Sequence, residues 1–494
     1  MTTTTLTDET PSAVPPPQAP SALQKLAKLS LAYATADVLG NAINFLLTPL
    51  YLFYLTPADY GALALAVLLS TFLKIVFRLG LDSGFLRIYY DVPAEMRSRF
   101  SGTVAIFAGV FSAMTFALVW IFSRELSIAL FQNADGVLWV RLVAADLLAS
   151  SFVFVPFSLL RIEGKASLLS SYSLVRHLLN TLLKVGLVVA GLGVTGALIS
   201  DAVASAFLAL LLLSELRSRA TPAFDWAPLR DALRFSIPKV PHGVLAQTLN
   251  LADRRILEEF VSLAQVGIYS VGNNFAGAMK FPLSAFEPAW QPFVFENAKK
   301  PDGAREIGLV STRMAILFVT TALAFALILP DVLIFMAKKP EFYAAAPVVP
   351  VVILGILFQG FFFLSSVGIT ITKEARYYPI ITGVSAVTNI ALNLWLIPYY
   401  GIMASAWATV AGYALTAFLG AFISKKLYPI PIEWPRIGAS LIAAIGLFVS
   451  ASFLGAGLGP LIGRVLLALI FALCVWRLIY NETDRRELGK VFGR

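Results

Sequence analysis

Charge is scarce in this chain. Only 14% of its 494 residues are Asp, Glu, Lys or Arg, against about 25% in an average soluble domain. Hydrophobic residues fill the difference, at 58% and a mean hydropathy of +0.79. That excess is more than a packed core can use, so a soluble multidomain enzyme is excluded. Disorder over most of the length is excluded for the same reason. Thiols and imidazoles are nearly missing. The single cysteine, Cys474, forbids an intrachain disulfide, and with only His177 and His242 beside it a zinc site has too few ligands. The net charge of +9 does not point to nucleic acid, because the basic residues sit in short clusters between apolar runs.

Apolar helix is what the chain has in abundance. Crossing a hydrocarbon core of ~30 Å takes about 20 apolar residues. Such runs recur 14 times, near 30–53, 60–81, 102–123, 139–160, 168–190, 194–215, 238–258, 265–287, 310–336, 345–371, 377–398, 402–424, 436–456 and 460–480. The expected fold is all-α, a polytopic membrane protein with 14 transmembrane helices. Residues 1–28 are rich in Thr and Pro near the start, lack the basic region and apolar core of a cleaved signal, and read as a disordered tail. The longest connection, 216–237, holds Arg230, Asp231 and Arg234 on a short helical stretch and reads as interfacial. With the tail in the cytoplasm, 26 Lys and Arg fall on the inner side, in connections or at span ends, 7 on the outer side, and the other 5 (Lys74, Arg78, Arg176, Lys184 and Lys280) deeper within spans. Positive residues favour the cytoplasmic side, so both termini are expected there. Trp290, Trp395 and Tyr399–Tyr400 fall at span ends and read as an aromatic belt. Asp253-Arg254-Arg255 reads as an interfacial anchor near the outer end of span 7.

The chain also resembles itself. LTPADYGALAL (55–65) resembles VSLAQVGIYSV (261–271) at an offset of 206, which pairs Ala58 with Ala264, Gly61 with Gly267 and Lys74 with Lys280. GVTGALISDAVA (193–204) resembles GIMASAWATVAG (401–412) at an offset of 208, which pairs Asp201 with Thr409. These offsets carry span 2 onto span 8 and span 6 onto span 12. The expected organisation is a first lobe at 29–216, a cytoplasmic linker at 217–237, a second lobe at 238–424, and spans 13 and 14 with a cytoplasmic tail at 425–494. Pro222, Pro228 and a polar composition suit the linker to follow a changing gap between lobes.

A charge at the bilayer centre costs ~2.5–3.5 kcal/mol on insertion scales, so it faces a cavity or a partner. Span 1 carries Asp37, Asn41, Asn44 and Thr48 on one face. Span 2 carries Lys74 and Arg78, with Asp82 one turn further on, and span 5 carries Arg176, Asn180 and Lys184. Span 8 carries Asn273, Lys280 and Ser284, span 11 Ser385, Asn389 and Asn393, and span 12 Ser405 and Thr409. Lys74, Arg176, Lys184 and Lys280 have no acid one turn away in their own helices. With Arg78 they are the candidate residues for an anionic substrate such as a pyrophosphate or acidic sugar. Asp37, with Asn41 beside it, is a candidate site for a coupling proton or Na⁺. The plainer readings are interhelical glue for Asn, Ser and Thr, a self-contained Arg78–Asp82 pair, and snorkelling of each cation to an interface.

Three stretches resemble a known family. DRRILEEFVSLAQVGIYSVGNNFAGAMKFPLSAFEPAWQPFVF (253–295) resembles the seventh and eighth helices of polysaccharide-export flippases. NIALNLWLIPYYGIMASAWATVAGYAL (389–415) resembles their eleventh and twelfth, and FLLTPLYLFYLTPADYGALALAVLL (45–69) their first and second. The chain is thus similar, over residues 28–480, to the polysaccharide transport family. That family includes Wzx-type O-antigen flippases and lies within the multidrug/oligosaccharidyl-lipid/polysaccharide exporter superfamily. The resemblance implies two six-helix lobes around a central cavity, with helices 13 and 14 beside them. It implies that an undecaprenyl-pyrophosphate-linked oligosaccharide crosses from the inner to the outer leaflet by alternating access, driven by an ion gradient. A polysaccharide polymerase and glycosyltransferases are the expected pathway partners, and no cofactor is expected beyond Na⁺ or H⁺. The absence of a GxxxxGK[ST] phosphate loop agrees with independence from ATP. The related lipid II flippase has a sodium site on its seventh, eleventh and twelfth helices. The matching positions here are Asn389, Asn393 and Thr409, with Asp253 the nearest helix-7 acid and Asn393 standing where a carboxylate would. Two other functions fit less well. A multidrug or cation antiporter of the superfamily wants an acidic or aromatic cavity, whereas the unpaired charges are mostly basic. A membrane polysaccharide polymerase or ligase wants a sizeable outer loop, and the longest here, 124–138 and 337–344, are short.

Overall fold

A straight helix of 53 residues would measure about 80 Å, far more than a bilayer core. Ser167–Arg219 is an unbroken run of 53 helical residues in the computed structural model, which describes residues 48–479 apart from 133, 238, 373, 375, 456 and 457. In chain order the helices are α1 (Thr48–Tyr54), α2 (Pro57–Arg78), α3 (Leu81–Asp91), α4 (Arg97–Ile121), α5 (Ser123–Phe131), α6 (Val137–Ser151), α7 (Phe154–Ile162), α8 (Ala166–Leu187), α9 (Gly193–Arg219), α10 (Trp226–Ser236), α11 (Lys239–Phe260), α12 (Leu263–Ala276), α13 (Lys280–Asn297), α14 (Gly303–Met336), α15 (Val348–Ser365), α16 (Val367–Ile371), α17 (Tyr377–Leu427), α18 (Trp434–Ser452) and α19 (Leu458–Cys474). No strand occurs among the described residues.

The long stretch doubles back. Gly191 (φ 89°, ψ 6°) and Gly193 (φ 52°, ψ −130°) adopt backbone conformations that a Cβ would strain. Beyond them α9 returns along α8, so that Asn180 reaches Asp201, 21 residues on. The 51-residue α17 turns in the same way at Gly401 (φ 55°, ψ −137°), and a Cβ on Gly412 would lie 3.3 Å from the Asn389 Cβ. Both turns fall between predicted spans, 5 and 6 in one half, 11 and 12 in the other.

Among the described residues, nine stretches are long and apolar enough to cross a membrane. Counting the two doubled ones twice gives 11, short of the 14 expected. Predicted span 1 lies almost wholly outside the described residues, and Asp37, Asn41 and Asn44 lie there with it. Span 7 is helical as α11, but Asp253, Arg254, Arg255, Glu258 and Glu259 make it too polar for that standard. Span 8 is divided into α12 and α13 by a 3₁₀ turn at Gly277–Met279. The protein is an all-helical, multi-pass membrane protein.

A parallel between the two stretches recurs in hydrogen bonds made just ahead of α10 and α18. After α9 the Asp225 amide donates to Thr103 Oγ1 of α4 at 3.0 Å. After α17 the Glu433 amide donates to Thr312 Oγ1 of α14, also at 3.0 Å. Asp225-Trp226 leads into α10 and Glu433-Trp434 into α18, 208 positions later. This dipeptide pair is a repeat signal beyond the two stretches compared above.

The connection expected to be slack is tied down. The Thr221 amide donates to Ser98 Oγ at 3.0 Å, Thr103 donates to Ala223 O at 3.0 Å, and Arg99 pairs with Asp225 at 3.3 Å. The amphipathic α10 then buries Leu229, Ala232 and Ser236 on α3, with Arg230, Asp231 and Arg234 exposed. Residues 221–236 are therefore bonded to and packed on helices of the first half. Trp290 also departs from expectation. It is 2% exposed and stacks between Phe286 and Phe293, so it belongs to the core, while Trp395, Tyr399 and Tyr400 are exposed as a belt requires.

The halves meet where α2 and α12 cross. A Cβ on Gly61 would lie 2.1 Å from Leu263 O, and one on Gly267 would lie 1.8 Å from Pro57 O, so only glycine permits this approach. These are the two glycines related by the 206 offset. Beside them Lys339 donates to Leu55 O at 2.7 Å, Gln132 to Glu258 O at 2.9 Å, and Asn274 to the Tyr60 hydroxyl at 2.6 Å.

At the other end of the first half Arg219 ties three segments together. It donates to Glu163 at 2.7 Å and pairs with Glu215, whose carboxylate also accepts from Tyr172 at 2.9 Å. The hydrogen bond from Arg219 is the main reason the Glu163 carboxyl is held below its ordinary 4.5. A lowered carboxyl contributes stability above its unfolded value and loses it as pH falls through its folded value. The thermal stability of the purified protein should therefore fall below pH 4.5, and less steeply in Arg219→Gln than in the native protein. Parallel pH profiles for the two would refute the clamp.

Candidate functional site

The α8–α9 hairpin carries the first cluster. A spacing of four residues puts Arg176, Asn180 and Lys184 in one row, and the turn sets Asp201 and Ser205 opposite them. Lys184 Nζ and Asn180 Nδ2 both donate to Asp201 Oδ1, each at 2.8 Å. Arg176 donates to Ser205 Oγ at 3.0 Å, and that hydroxyl donates to Asp146 Oδ1 of α6 at 2.5 Å. Arg78 pairs with Asp82 at 3.1 Å. Lys74 is exposed and near enough to Arg78, Asp82, Arg176 and Asp146 to interact electrostatically with all four. The expectation of unpaired cations is thus corrected for Lys184. Its acid comes from the next helix, where a search one turn either way along its own helix does not look. Asp146 was missed entirely, since alone in an apolar span it forms no pattern.

The second cluster joins α11, α12, α13 and α17. The Tyr269 hydroxyl donates to Asp253 Oδ2 at 2.5 Å, with Ser405 and Thr409 beside it. Arg254 is only 7% exposed, and its Nε has no hydrogen-bond partner among the described residues. Lys280 is exposed and interacts electrostatically with both Arg254 and Asp253. Asp253 and Arg254 are therefore not an interfacial anchor. Asp253 stands eight residues before the turn at Val261–Ser262, about 12 Å down the helix. Arg255 alone turns away, to Glu258 at 2.6 Å and Glu259 at 2.5 Å.

The α17 hairpin brings Asn389, Asn393 and Thr409 into one region. Asn393 is fully buried and donates to Asn389 O at 2.9 Å and Asn389 Oδ1 at 3.1 Å, leaving its own Oδ1 without a partner among the described residues. Thr409 donates to Ser405 O at 3.0 Å. None of the three is charged, and the acid Asp253 is linked to the set only through Tyr269, which reaches Thr409. Hard cations gather several oxygens, carboxylates among them, so this set fits Na⁺ poorly while Tyr269 holds Asp253. Asp37 and Asn41 lie outside the described residues. Six cations (Lys74, Arg78, Arg176, Lys184, Arg254 and Lys280) accompany four carboxylates (Asp82, Asp146, Asp201 and Asp253), an excess of two positive charges.

Residues 54–337 match a protein-family model described as polysaccharide biosynthesis protein. Among solved structures, the lipid II flippase MurJ in an inward closed conformation superposes with a TM-score of 0.76 at 13% identity, over 94% of this chain and 99% of that one. An inward-facing multidrug resistance MATE family transporter of the MOP superfamily gives 0.63 at 16% identity, over 84% and 98%. The MATE multidrug transporter DinF-BH gives 0.58 at 18%, over 83% and 97%. Identities this low establish the fold alone. Among curated proteins, an uncharacterized membrane protein of Methanocaldococcus jannaschii is 28% identical over 171 residues, 34% of this chain and 31% of that protein.

Proposed function

The chain belongs to the polysaccharide biosynthesis protein family, and from that premise we propose that it is a flippase for lipid-linked oligosaccharides. The substrate in this reading is an undecaprenyl-pyrophosphate-linked repeat unit. It moves from the inner to the outer leaflet of a bacterial inner membrane by alternating access, with both termini in the cytoplasm. The protein is a transporter, not an enzyme, and hands its cargo to a polymerase fed by glycosyltransferases of the same pathway. The observation that carries the reading is the positive excess. Lys74, Arg176 and Lys280 keep donors that no carboxylate claims among the described residues, and a diphosphate satisfies such donors with charge-assisted hydrogen bonds. The crossing at Gly61 and Gly267 closes the expected outer end, which suits loading from inside. An ion gradient drives the cycle, through Asp37 and Asn41 or through Asn389, Asn393 and Thr409. The poor fit of the latter set to Na⁺ favours a proton.

Deletion of the gene should make undecaprenyl-pyrophosphate-linked repeat units accumulate on the cytoplasmic face. In proteoliposomes, Lys74→Ala and Lys280→Ala should each slow translocation about tenfold or more, the loss of one charge-assisted contact of ~1.5 kcal/mol or above. Lys→Arg at either position should retain most of the rate. Native rates in both alanine variants would refute this site. Efflux of a cationic dye without movement of the lipid-linked sugar would instead support an antiporter.

A further inference from the structure

α18 and α19 pack on α14, and a trough separates α18 from the α15–α17 pair. One part is a cavity of about 510 Å³, walled by Phe358 of α15, Phe418 and Phe422 of α17, and Trp434 at the start of α18. Its neighbour, about 350 Å³, lies between Leu357 of α15, Trp407 of α17 and Phe448 of α18. Along α15 the second is lined by Val351, Leu354 and Leu357 and the first by Phe358, Phe361 and Ser365, so the two follow one another down that helix. From Trp434 to Val449 the trough follows 15 residues of α18, about 22 Å. Its lining holds one charged residue, Lys425, at the end expected to face the cytoplasm. Lys425 is exposed, and the adjacent Lys426 stacks on Phe422 with Nζ 4.3 Å from the ring centre. The trough occupies the face of α17 opposite Ser405 and Thr409, away from both charged clusters.

We propose that this trough is a binding site for an anionic phospholipid of the cytoplasmic leaflet, independent of the transported cargo. One acyl chain lies along the aromatic walls, and the phosphate meets Lys425 and Lys426. Apolar walls of this length have no use for water, and a chain between α18 and α15–α17 restores the dispersion contacts that the gap forfeits. Charge decides which lipid. Two adjacent lysines favour a head group of net negative charge, and a zwitterionic head group forgoes most of that attraction. The site would fasten α18 to the second half, so that both move together.

Native mass spectrometry of the purified full-length protein should retain one phosphatidylglycerol under conditions that strip phosphatidylcholine. Lys425→Gln with Lys426→Gln should weaken that retention about tenfold or more. Ala421→Trp, which fills the trough, should abolish it in a protein that still elutes as one folded species. Equal retention of the two phospholipids, or unchanged retention in the double glutamine variant, would overturn the proposal. Preferential capture of undecaprenyl phosphate would overturn it in favour of a carrier-lipid site. If Ala421→Trp does not fold, the glutamine variant decides.

Discussion

Gly267→Ala should leave a folded protein that scarcely transports. The added methyl would lie 1.8 Å from Pro57 O, and the clashing partner is backbone, which cannot rotate away. Overpacking of this kind costs about 1–3 kcal/mol. At the upper end the crossed arrangement of α2 and α12 loses about a hundredfold in population against any state in which they separate. A cycle that must pass through that closure slows in proportion. Gly61→Ala, with its methyl 2.1 Å from Leu263 O, should behave alike, because it meets the same crossing from the other side. The exposed Cys474 is the sole native thiol, so its replacement by serine clears the background for spin labels at Ala58 and Gln265. Their separation should lengthen in either alanine variant while helix content and elution stay native. Unchanged distances and unchanged transport would show that the crossing is not part of the cycle.

Sequence showed the architecture well where period and punctuation carry it. Glycines placed between apolar runs mark both hairpin turns, and the 206 offset singles out the two residues that touch across the halves. It was less informative wherever the answer lies on a neighbouring helix. Lys184 looks unpaired because Asp201 is 17 residues away along the chain and only the turn at Gly191–Gly193 brings it back. Polar composition misleads in the connection after α9, since a segment hydrogen-bonded to α4 and a free linker draw on the same residues. Trp290 reads as an interfacial aromatic because it sits near a span end, yet Phe286 and Phe293 enclose it in the core. Asp253 reads as interfacial because two arginines follow it. Tyr269, on the adjoining helix, is what makes it an interior residue, and no spacing within α11 announces that.

The Lys184–Asp201 pair separates a structural role from a transport role. Lys184 is almost wholly enclosed, with its side chain 9% exposed, and Asp201 keeps 30%. Removing one member of a buried pair costs 3–5 kcal/mol, because the survivor is left charged without a counterion. The residual exposure of Asp201 places Asp201→Ala near the lower end, about 3 kcal/mol, and the Asn180 amide loses its acceptor in the same step. Asp201→Ala should therefore unfold at distinctly lower temperature in detergent and reach the membrane in reduced amount. Lys184→Met combined with Asp201→Ala removes both charges and keeps an unbranched apolar side chain on α8. Replacing a whole buried pair by apolar groups is often neutral, so the double variant should recover most of the lost stability. If Lys184 belongs to the anion site, recovery of the fold will not bring back function. The double variant should then move lipid-linked oligosaccharide at less than about a tenth of the native rate, the loss of one charge-assisted contact. Native transport by a stable double variant would make the pair a structural fixture and restrict the anion site to Lys74, Arg176 and Lys280.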